Sequence, residues 1–147
     1  MPTILLIHGP NLNLLGQREP EIYGQATLGD YVDRVRDVAA PLGLSVEQVQ
    51  SNHEGDLVDA IHEARGSHAA IIVNAGALTH YSWSLHDALA TFDGPIVEVH
   101  ISQPNAREPW RHTSVVAPVA SGSIAGFGML GYELAVGAVA RLLESRS

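Results

Sequence analysis

The strongest indication of fold class in this sequence is the stretch Thr3-Ile4-Leu5-Leu6-Ile7-His8. An uninterrupted aliphatic run of this kind predicts a β-strand that is buried on both faces, which is typical of parallel sheets that helices cover on both sides. A long polar loop follows at 9–26, and it contains Gly9, Pro10, Gly16, Pro20 and Gly24. A loop of this length inside a compact domain is usually functional, and often a lid.

Short apolar runs and amphipathic stretches alternate along the rest of the chain. Thr27 and Asp30 predict the start of a helix through a capping box, and Gly43 predicts its end. Pro118 interrupts the last apolar run, so that strand is expected at an edge of the sheet. Strands are predicted at 3–8, 44–50, 68–73, 95–101 and 114–120. Helices are predicted at 27–42, 54–65, 80–91 and 127–144.

Strands that alternate with helices predict an α/β protein. With right-handed crossovers, the expected architecture is a flavodoxin-like, doubly wound, five-stranded parallel sheet of order 2-1-3-4-5 in three α/β/α layers. The length of 147 residues predicts a single domain over 1–147, with a lid loop at about 16–25.

The composition excludes several kinds of chemistry. The chain has no cysteine and no lysine, so a thiol nucleophile, a thiolate metal site and a lysine Schiff base are all excluded. Sixteen acidic residues against eight arginines give a net charge of −8, which argues against nucleic-acid binding and against a polybasic membrane anchor. No apolar run is long enough to span a bilayer, and no signal segment is recognisable, so we expect a cytoplasmic protein.

Ligands of such sheets bind outside the carboxyl ends of the strands, and polar residues cluster there in this sequence. Those residues are Asn11, Asn13, Arg18, Tyr23, Asn74, Gly76, Thr79, His80, His100, Ser102, Arg107 and Arg111. No histidine pair has the HExxH spacing, and no histidine–carboxylate set has a recognisable ligand spacing. We therefore predict neither a metal nor a cofactor.

An acid and a base can be assigned within this cluster. Arg18 keeps its charge at all relevant pH values, and a nearby cation favours the phenolate of Tyr23, so the pair is a credible general base. His100 can supply the complementary acid, and Glu98, on the same face of the strand, can favour its protonated form. A base and an acid without a metal suggest proton abstraction and elimination beside a carbonyl. Arg111 suggests an anionic substrate.

Purely structural interpretations stay open for the same residues. His100 is about as consistent with a buried histidine that bonds a backbone carbonyl. His80 could be a residue at a helix start, and Arg18 with Glu19 a solvated loop pair. Tyr23 could cover apolar surface.

Several ordered motifs resemble those of the type II 3-dehydroquinate dehydratases, from about residue 3 to residue 143. The motifs are Gly9-Pro10-Asn11-Leu12-Asn13-Leu14-Leu15-Gly16 with Arg18-Glu19-Pro20 and Tyr23-Gly24, then Gln50-Ser51-Asn52-His53-Glu54-Gly55, Asn74-Ala75-Gly76-Ala77-Leu78-Thr79-His80, Glu98-Val99-His100-Ile101-Ser102 and Arg107-Glu108-Pro109-Trp110-Arg111-His112. The resemblance implies an anti elimination of water from 3-dehydroquinate to 3-dehydroshikimate through an enolate, in the shikimate pathway.

The resemblance also implies roles for individual residues. Tyr23 would be the base and Arg18 would hold it ionised. Asn11 would stabilise the enolate oxygen through a water molecule, and His100, oriented by Glu98, would protonate the leaving hydroxyl.

Substrate binding and assembly are implied in the same way. Asn74, His80 and Arg111 would bind substrate hydroxyls, while the backbone amides of Ile101 and Ser102 would bind the carboxylate. Gly76 would allow close backbone approach. The family forms trimers that assemble into a homododecamer, in which Asp87 would reach the site of a neighbouring subunit.

Some positions depart from the common family pattern. His8 stands where many members have asparagine, and Ala77 replaces a frequent glycine. Tyr81 and Trp83 stand where small or aliphatic residues are usual, and they predict either a repacked subunit interface or a narrower pocket. The remaining departures are His86 and the run Gln103-Pro104-Asn105.

Three other interpretations compete with the enzyme. A phospho-receiver needs acidic residues after the first strand, and a flavin carrier needs a phosphate loop there, but the chain has His8-Gly9-Pro10-Asn11. The third is a catalytically inactive flavodoxin-like module that binds a cyclic hydroxy acid. The presence of Arg18, Tyr23 and His100 argues against it.

Overall fold

A five-stranded, all-parallel sheet forms the centre of the fold. The computed structural model describes residues 1–17, 21 and 24–146, and all elements below belong to these residues. The sheet order is β2-β1-β3-β4-β5, as predicted. In chain order the strands are β1 (Thr3–His8), β2 (Ser45–Gln50), β3 (Ala70–Asn74), β4 (Ile96–His100) and β5 (Gly122–Ala125).

Helices cover both faces of the sheet and complete the predicted three layers. Among the described residues they are α1 (Leu28–Ala39), α2 (Glu54–Ala64), α3 (Trp83–Ala90) and α4 (Met129–Glu144). The even-numbered β1 residues Ile4 and Leu6 pack with α1 and α4, and the odd-numbered Leu5 and Ile7 pack with α2 and α3. This alternation explains why the first strand is aliphatic throughout: neither face of β1 meets water.

Local sequence signals set the first helix as expected. The Thr27 hydroxyl accepts from the Asp30 N–H, while the Asp30 carboxylate accepts from the Thr27 N–H, so the predicted capping box is confirmed. Gly43 ends the segment in the left-handed region at φ 76°. The α-helix itself ends at Ala39, and a 3₁₀ turn over Ala40–Leu42 follows because Pro41 cannot continue the i→i−4 bonding.

The predicted fifth strand was wrong. Residues 114–120 contain a 3₁₀ turn at Ala117–Val119, and the edge strand is Gly122–Ala125. Val115 and Val116 are buried as the sequence pattern suggests, but Val115 donates its N–H to the Thr79 carbonyl instead of to a strand. The true strand has one large apolar residue because it lies at the edge, so its periodicity is too weak to detect. The predicted edge position is correct.

The helix predicted at 80–91 begins later, at Trp83. A 3₁₀ turn over Gly76–His80 precedes it, and the Ser82 hydroxyl caps the helix by accepting from the Leu85 N–H.

No helix among the described residues is long and apolar enough to cross a membrane.

A histidine is completely buried at the end of β1. His8 has no exposed surface, and burial lowers its pKa from 6.5 to about 4, against a smaller opposing effect of its hydrogen bond to Gln48. His8 is therefore neutral near pH 7. In the folded protein it takes up a proton only at a lower pH than it does in the unfolded chain.

This burial predicts a specific pH dependence of stability. Between about pH 6.5 and 4, His8 binds a proton in the unfolded chain but stays neutral in the folded protein. The free energy of unfolding should therefore fall by about 3 kcal/mol as the pH drops through this range. Urea denaturation of the wild type and His8→Gln across this range checks the effect. The difference in free energy of unfolding between the wild type and His8→Gln should shrink toward acid pH. A difference that stays constant with pH would contradict the burial argument.

Candidate active site

A cavity of about 240 Å³ lies at the carboxyl ends of the strands. Its wall combines the loops that follow β1, β3 and β4, which converge because parallel strands end at one edge. Eight of the residues predicted to act in catalysis or substrate binding line it: Asn11, Asn74, Gly76, His80, His100, Ile101, Ser102 and Arg111. The other lining residues are Pro10, Leu12, Ala77, Pro104, Arg107 and Trp110.

Two glycines bring the first two loops into contact. The Gly9 N–H donates to the Asn74 carbonyl at 2.8 Å, and a Cβ on Gly9 would lie 2.1 Å from the Ala75 carbonyl oxygen. Gly76 adopts φ 61°, and a Cβ there would meet the Pro10 carbonyl oxygen at 3.1 Å. Side chains at both positions would therefore force apart the loops that carry Asn11 and Asn74.

A histidine on the cavity wall is paired with a buried carboxylate. His100 Nε2 lies 2.6 Å from Glu98 Oε2, and the Glu98 side chain is almost completely buried. An ionised carboxylate can only accept, so Nε2 carries a proton. His100 Nδ1 is then the nitrogen that can exchange a proton with a ligand in the cavity.

Hydroxyl groups from three other segments stabilise the buried charge. Thr79 Oγ1 donates to Glu98 Oε2 at 2.5 Å, Ser114 Oγ lies 2.9 and 3.0 Å from the two carboxylate oxygens, and Ser123 Oγ donates to Oε1 at 3.2 Å. Burial alone would raise the pKa of Glu98, but His100, together with the hydroxyls of Thr79 and Ser114, outweighs it and lowers that pKa. Glu98 is an anion at neutral pH that holds His100 in one tautomer and orientation.

Asn11 has an unusual backbone. It has φ 71°, and it is the one non-glycine residue of the described chain with positive φ. Its N–H donates to Asn52 Oδ1 at 2.9 Å, and Gln50 Nε2 donates to the same oxygen and to the Gly9 carbonyl. The end of β2 and the residues just after it thus hold the loop that presents Asn11 to the cavity.

The opposite side of the cavity carries positive charge. The Arg111 guanidinium stacks over the Trp110 ring at 4.0 Å, and its Nε donates to Glu108 Oε2 at 3.1 Å. Arg107 Nη1 donates to the Ser102 hydroxyl at 3.4 Å. These contacts place two guanidinium groups on the wall, which suits an anionic ligand.

His80 has a defined tautomer. Its Nδ1 lies 2.7 Å from the Thr113 carbonyl, which can only accept, so Nδ1 carries the proton and Nε2 keeps its lone pair. Burial lowers the pKa of His80, against the opposing effect of this hydrogen bond. A neutral His80 can accept a hydrogen bond from a ligand hydroxyl.

A family model described as "Dehydroquinase class II" matches residues 2–140. The chain belongs to this family. The 3-dehydroquinate dehydratase of Halalkalibacterium halodurans is 53% identical over 92% of this chain and 94% of its own length. The 3-dehydroquinate dehydratase 1 of Corynebacterium efficiens is 59% identical over 90% and 88% of the two chains.

The fold of this class II dehydroquinase family member also matches solved structures closely. The type II dehydroquinase from Propionibacterium acnes superposes with a TM-score of 0.92 at 42% identity, covering 96% of this chain and 97% of that one. A type II dehydroquinase from Butyrivibrio crossotus superposes with a TM-score of 0.91. The predicted family and fold are both confirmed.

Among the described residues that were predicted to act in catalysis or substrate binding, Glu98 and Asp87 do not line the cavity. Asp87 is on α3, where its side chain is 81% exposed and accepts from His86 Nδ1. Arg18 and Tyr23 lie outside the described residues, as does part of the lid predicted at 16–25.

The family departures at Tyr81 and Trp83 do not narrow the cavity. Both side chains are more than half exposed, neither lines the wall, and Trp83 packs edge-on against His86.

Among the described residues, no group of three or more histidine, aspartate or glutamate side chains is arranged to hold a metal.

Sequence reasoning missed several residues that support the site. Trp110 supports Arg111, Ser114 and Ser123 bond Glu98, and Asn52 bonds Asn11. Asn52 and Trp110 lie inside motifs that point to the family, but no pattern in the chain shows what they contact. Ser114 and Ser123 lie in the region where the fifth strand was misplaced.

The left-handed backbone of Asn11 predicts a difference between two substitutions. Asn11→Gly should keep the free energy of unfolding, whereas Asn11→Ala should lose about 1 kcal/mol because alanine resists positive φ. Urea denaturation of both variants checks this, with Asn13→Ala in the adjacent right-handed turn as a control that should be neutral. Equal stability of the glycine and alanine variants would show that the backbone is not strained.

Proposed function

We propose that this chain dehydrates 3-dehydroquinate with His100 as the general acid and Tyr23 as the general base. The enzyme class follows from family membership: the chain is a type II 3-dehydroquinate dehydratase, a hydro-lyase of the shikimate pathway. The observation that carries the residue assignment is the 2.6 Å contact between His100 and the buried Glu98 at the cavity wall.

The reaction begins with removal of a proton. Tyr23, kept ionised by the positive charge of Arg18, takes the proton from the carbon beside the ketone. The electron pair of that C–H bond moves onto the ketone oxygen and forms an enolate. The assignment of this pair rests on the sequence motif.

Asn11 is proposed to stabilise the enolate oxygen through a water molecule. Its place on the cavity wall and the contacts that hold its backbone support this role. A donor held in position before the reaction stabilises developing charge without reorganisation.

His100 completes the elimination. Its Nδ1 delivers a proton to the hydroxyl on the neighbouring carbon as the C–O bond breaks, while the enolate re-forms the ketone and a carbon–carbon double bond appears. The hydroxyl leaves as water. Glu98 accepts the Nε2 proton of the imidazole throughout, so the transferred proton is the one carried on Nδ1, and the Nε2–H tautomer remains after the transfer.

The rest of the cavity wall is proposed to bind the substrate. The backbone amides of Ile101 and Ser102 take the carboxylate, and Asn74, His80 and Arg111 bind hydroxyls. Gly76 keeps the wall open where a side chain would meet the loop after β1. We expect this reaction to take place in the cytoplasm.

The activity is tested by an ultraviolet assay of the purified chain with 3-dehydroquinate, in the presence of a chelator. The conjugated product absorbs where the substrate does not, so absorbance should rise. His100→Ala and Tyr23→Phe should each lower kcat by about 10²-fold or more while a product analogue still binds. Near-wild-type kcat in either variant would refute the role given to that residue. An absence of turnover with retained binding would instead favour the inactive binding module.

We also propose that Asp87 completes the site of a neighbouring subunit in a trimer, and that trimers assemble into a homododecamer. The exposed Asp87 carboxylate and its absence from the cavity of its own chain support this proposal. Tyr81 and Trp83 expose large apolar side chains in the same segment, as expected of a subunit contact.

Mixing two inactive variants tests the shared site. Asp87→Ala and His100→Ala should each have low activity, because one lacks the donated carboxylate and the other the acid. Mixed oligomers contain sites that pair intact His100 with intact Asp87, so joint refolding should restore a measurable fraction of wild-type activity. Activity no higher than the sum of the separate variants would contradict sharing.

A further inference from the structure

A chain of buried polar groups connects the core to the cavity. His8 Nε2 lies 3.0 Å from the Tyr132 hydroxyl, and Asn74 Nδ2 donates to that same hydroxyl at 3.0 Å. His8, on β1, and Asn74, on β3, are register partners, and both face α4, which carries Tyr132. The rings of His8 and Tyr132 stack with an interplanar angle of 13°.

The direction of each hydrogen bond in this chain can be worked out. The Gly76 N–H can only donate, and it lies 3.2 Å from Asn74 Oδ1, so that end of the amide is the oxygen. Asn74 Nδ2 must then donate to the Tyr132 oxygen. Tyr132 therefore donates its own proton to His8 Nε2, and His8 Nδ1 donates to Gln48 Oε1 at 3.3 Å.

The ionisation states of the buried groups agree with this direction. Burial lowers the pKa of His8 to about 4, so Nε2 has a lone pair to accept the tyrosine proton. Burial also raises the pKa of Tyr132 above its ordinary range, so the hydroxyl keeps the proton that it donates.

Asn74 is the member of this chain of groups that reaches the cavity. Its amide has two N–H protons, one of which is committed to Tyr132. The Gly76 and Tyr132 bonds together leave a single orientation of the amide, in which the second N–H is available to a ligand. Loss of the acceptor on His8 would release the Tyr132 proton, which could then compete for Asn74 Oδ1 and favour other orientations of the amide.

We propose that His8 is a positioning residue, which acts through Tyr132 to hold the Asn74 amide in the orientation that binds a substrate hydroxyl. This inference rests on the proposed function, because it takes 3-dehydroquinate as the ligand of Asn74.

Kinetics of four variants test the proposal. His8→Leu removes the acceptor, and Tyr132→Phe removes one oxygen while keeping the ring. Each should raise KM for 3-dehydroquinate by about five-fold, the effect of one ordinary hydrogen bond, with kcat changed less than about two-fold. His8→Gln, whose side-chain oxygen can take the place of Nε2, should restore KM to near the wild-type value. In an Asn74→Ala background, His8→Leu should leave KM unchanged.

The matched control is Ile4→Val, on the same strand and the same face as His8. It should lower Tm and leave KM unchanged, because it trims the core without touching the chain of polar groups. A purely structural role for His8 predicts the same pattern for His8→Leu and Tyr132→Phe, and that result in an active enzyme would overturn the inference alone. A KM increase from His8→Leu that persists without the Asn74 amide would also overturn it. A wild-type chain that does not turn over 3-dehydroquinate would overturn the proposed function and this inference together.

Discussion

A buried negative charge at Glu98 is the constraint around which the site is organised. A carboxylate removed from water is costly unless donors surround it, and here the donors come from four separate positions in the chain. They are Thr79, His100, Ser114 and Ser123. Meeting this requirement brings together the turn after β3, the end of β4, the loop at 114 and the edge strand. The carboxylate that these groups stabilise in turn holds the imidazole at the cavity wall.

The two faces of the sheet contribute differently to the cavity. On the face covered by α2 and α3, the strand that contains Ile96 ends in the hydrogen-bonded pair Glu98 and His100. On the face covered by α1 and α4, the strand that contains Ile4 ends in the neutral His8, which bonds Tyr132. The Glu98–His100 pair reaches the cavity through His100, whereas His8 is fully enclosed. Complete enclosure favours the neutral form of His8.

The outcome for particular elements shows where sequence reasoning succeeds. The strand at 3–8 was predicted with its observed limits because an aliphatic run buried on both faces has a strong signal. The helix after Thr27 was placed well because capping is a local interaction between residues three positions apart. The edge strand at Gly122–Ala125 was missed because half of its surface is not covered, so few apolar residues mark it. The apolar pair Val115 and Val116 was mistaken for that strand because burial alone does not distinguish a packed loop from a strand.

The amino-acid sequence by itself was sufficient to establish the fold class, the family and the set of polar residues at one edge of the sheet. Those inferences depend on periodicity, capping and motif spacing, which are local properties of the chain. Only the three-dimensional structure showed three further contacts. They are the hydrogen bonds that serine hydroxyls donate to Glu98, the support of Asn11 by Asn52 and the connection from His8 to Asn74. Each of these joins segments that are distant in sequence, with His8 and Tyr132 separated by 124 positions. Distances and hydrogen-bond directions between such segments follow from how the helices pack on the sheet, and no local pattern encodes them.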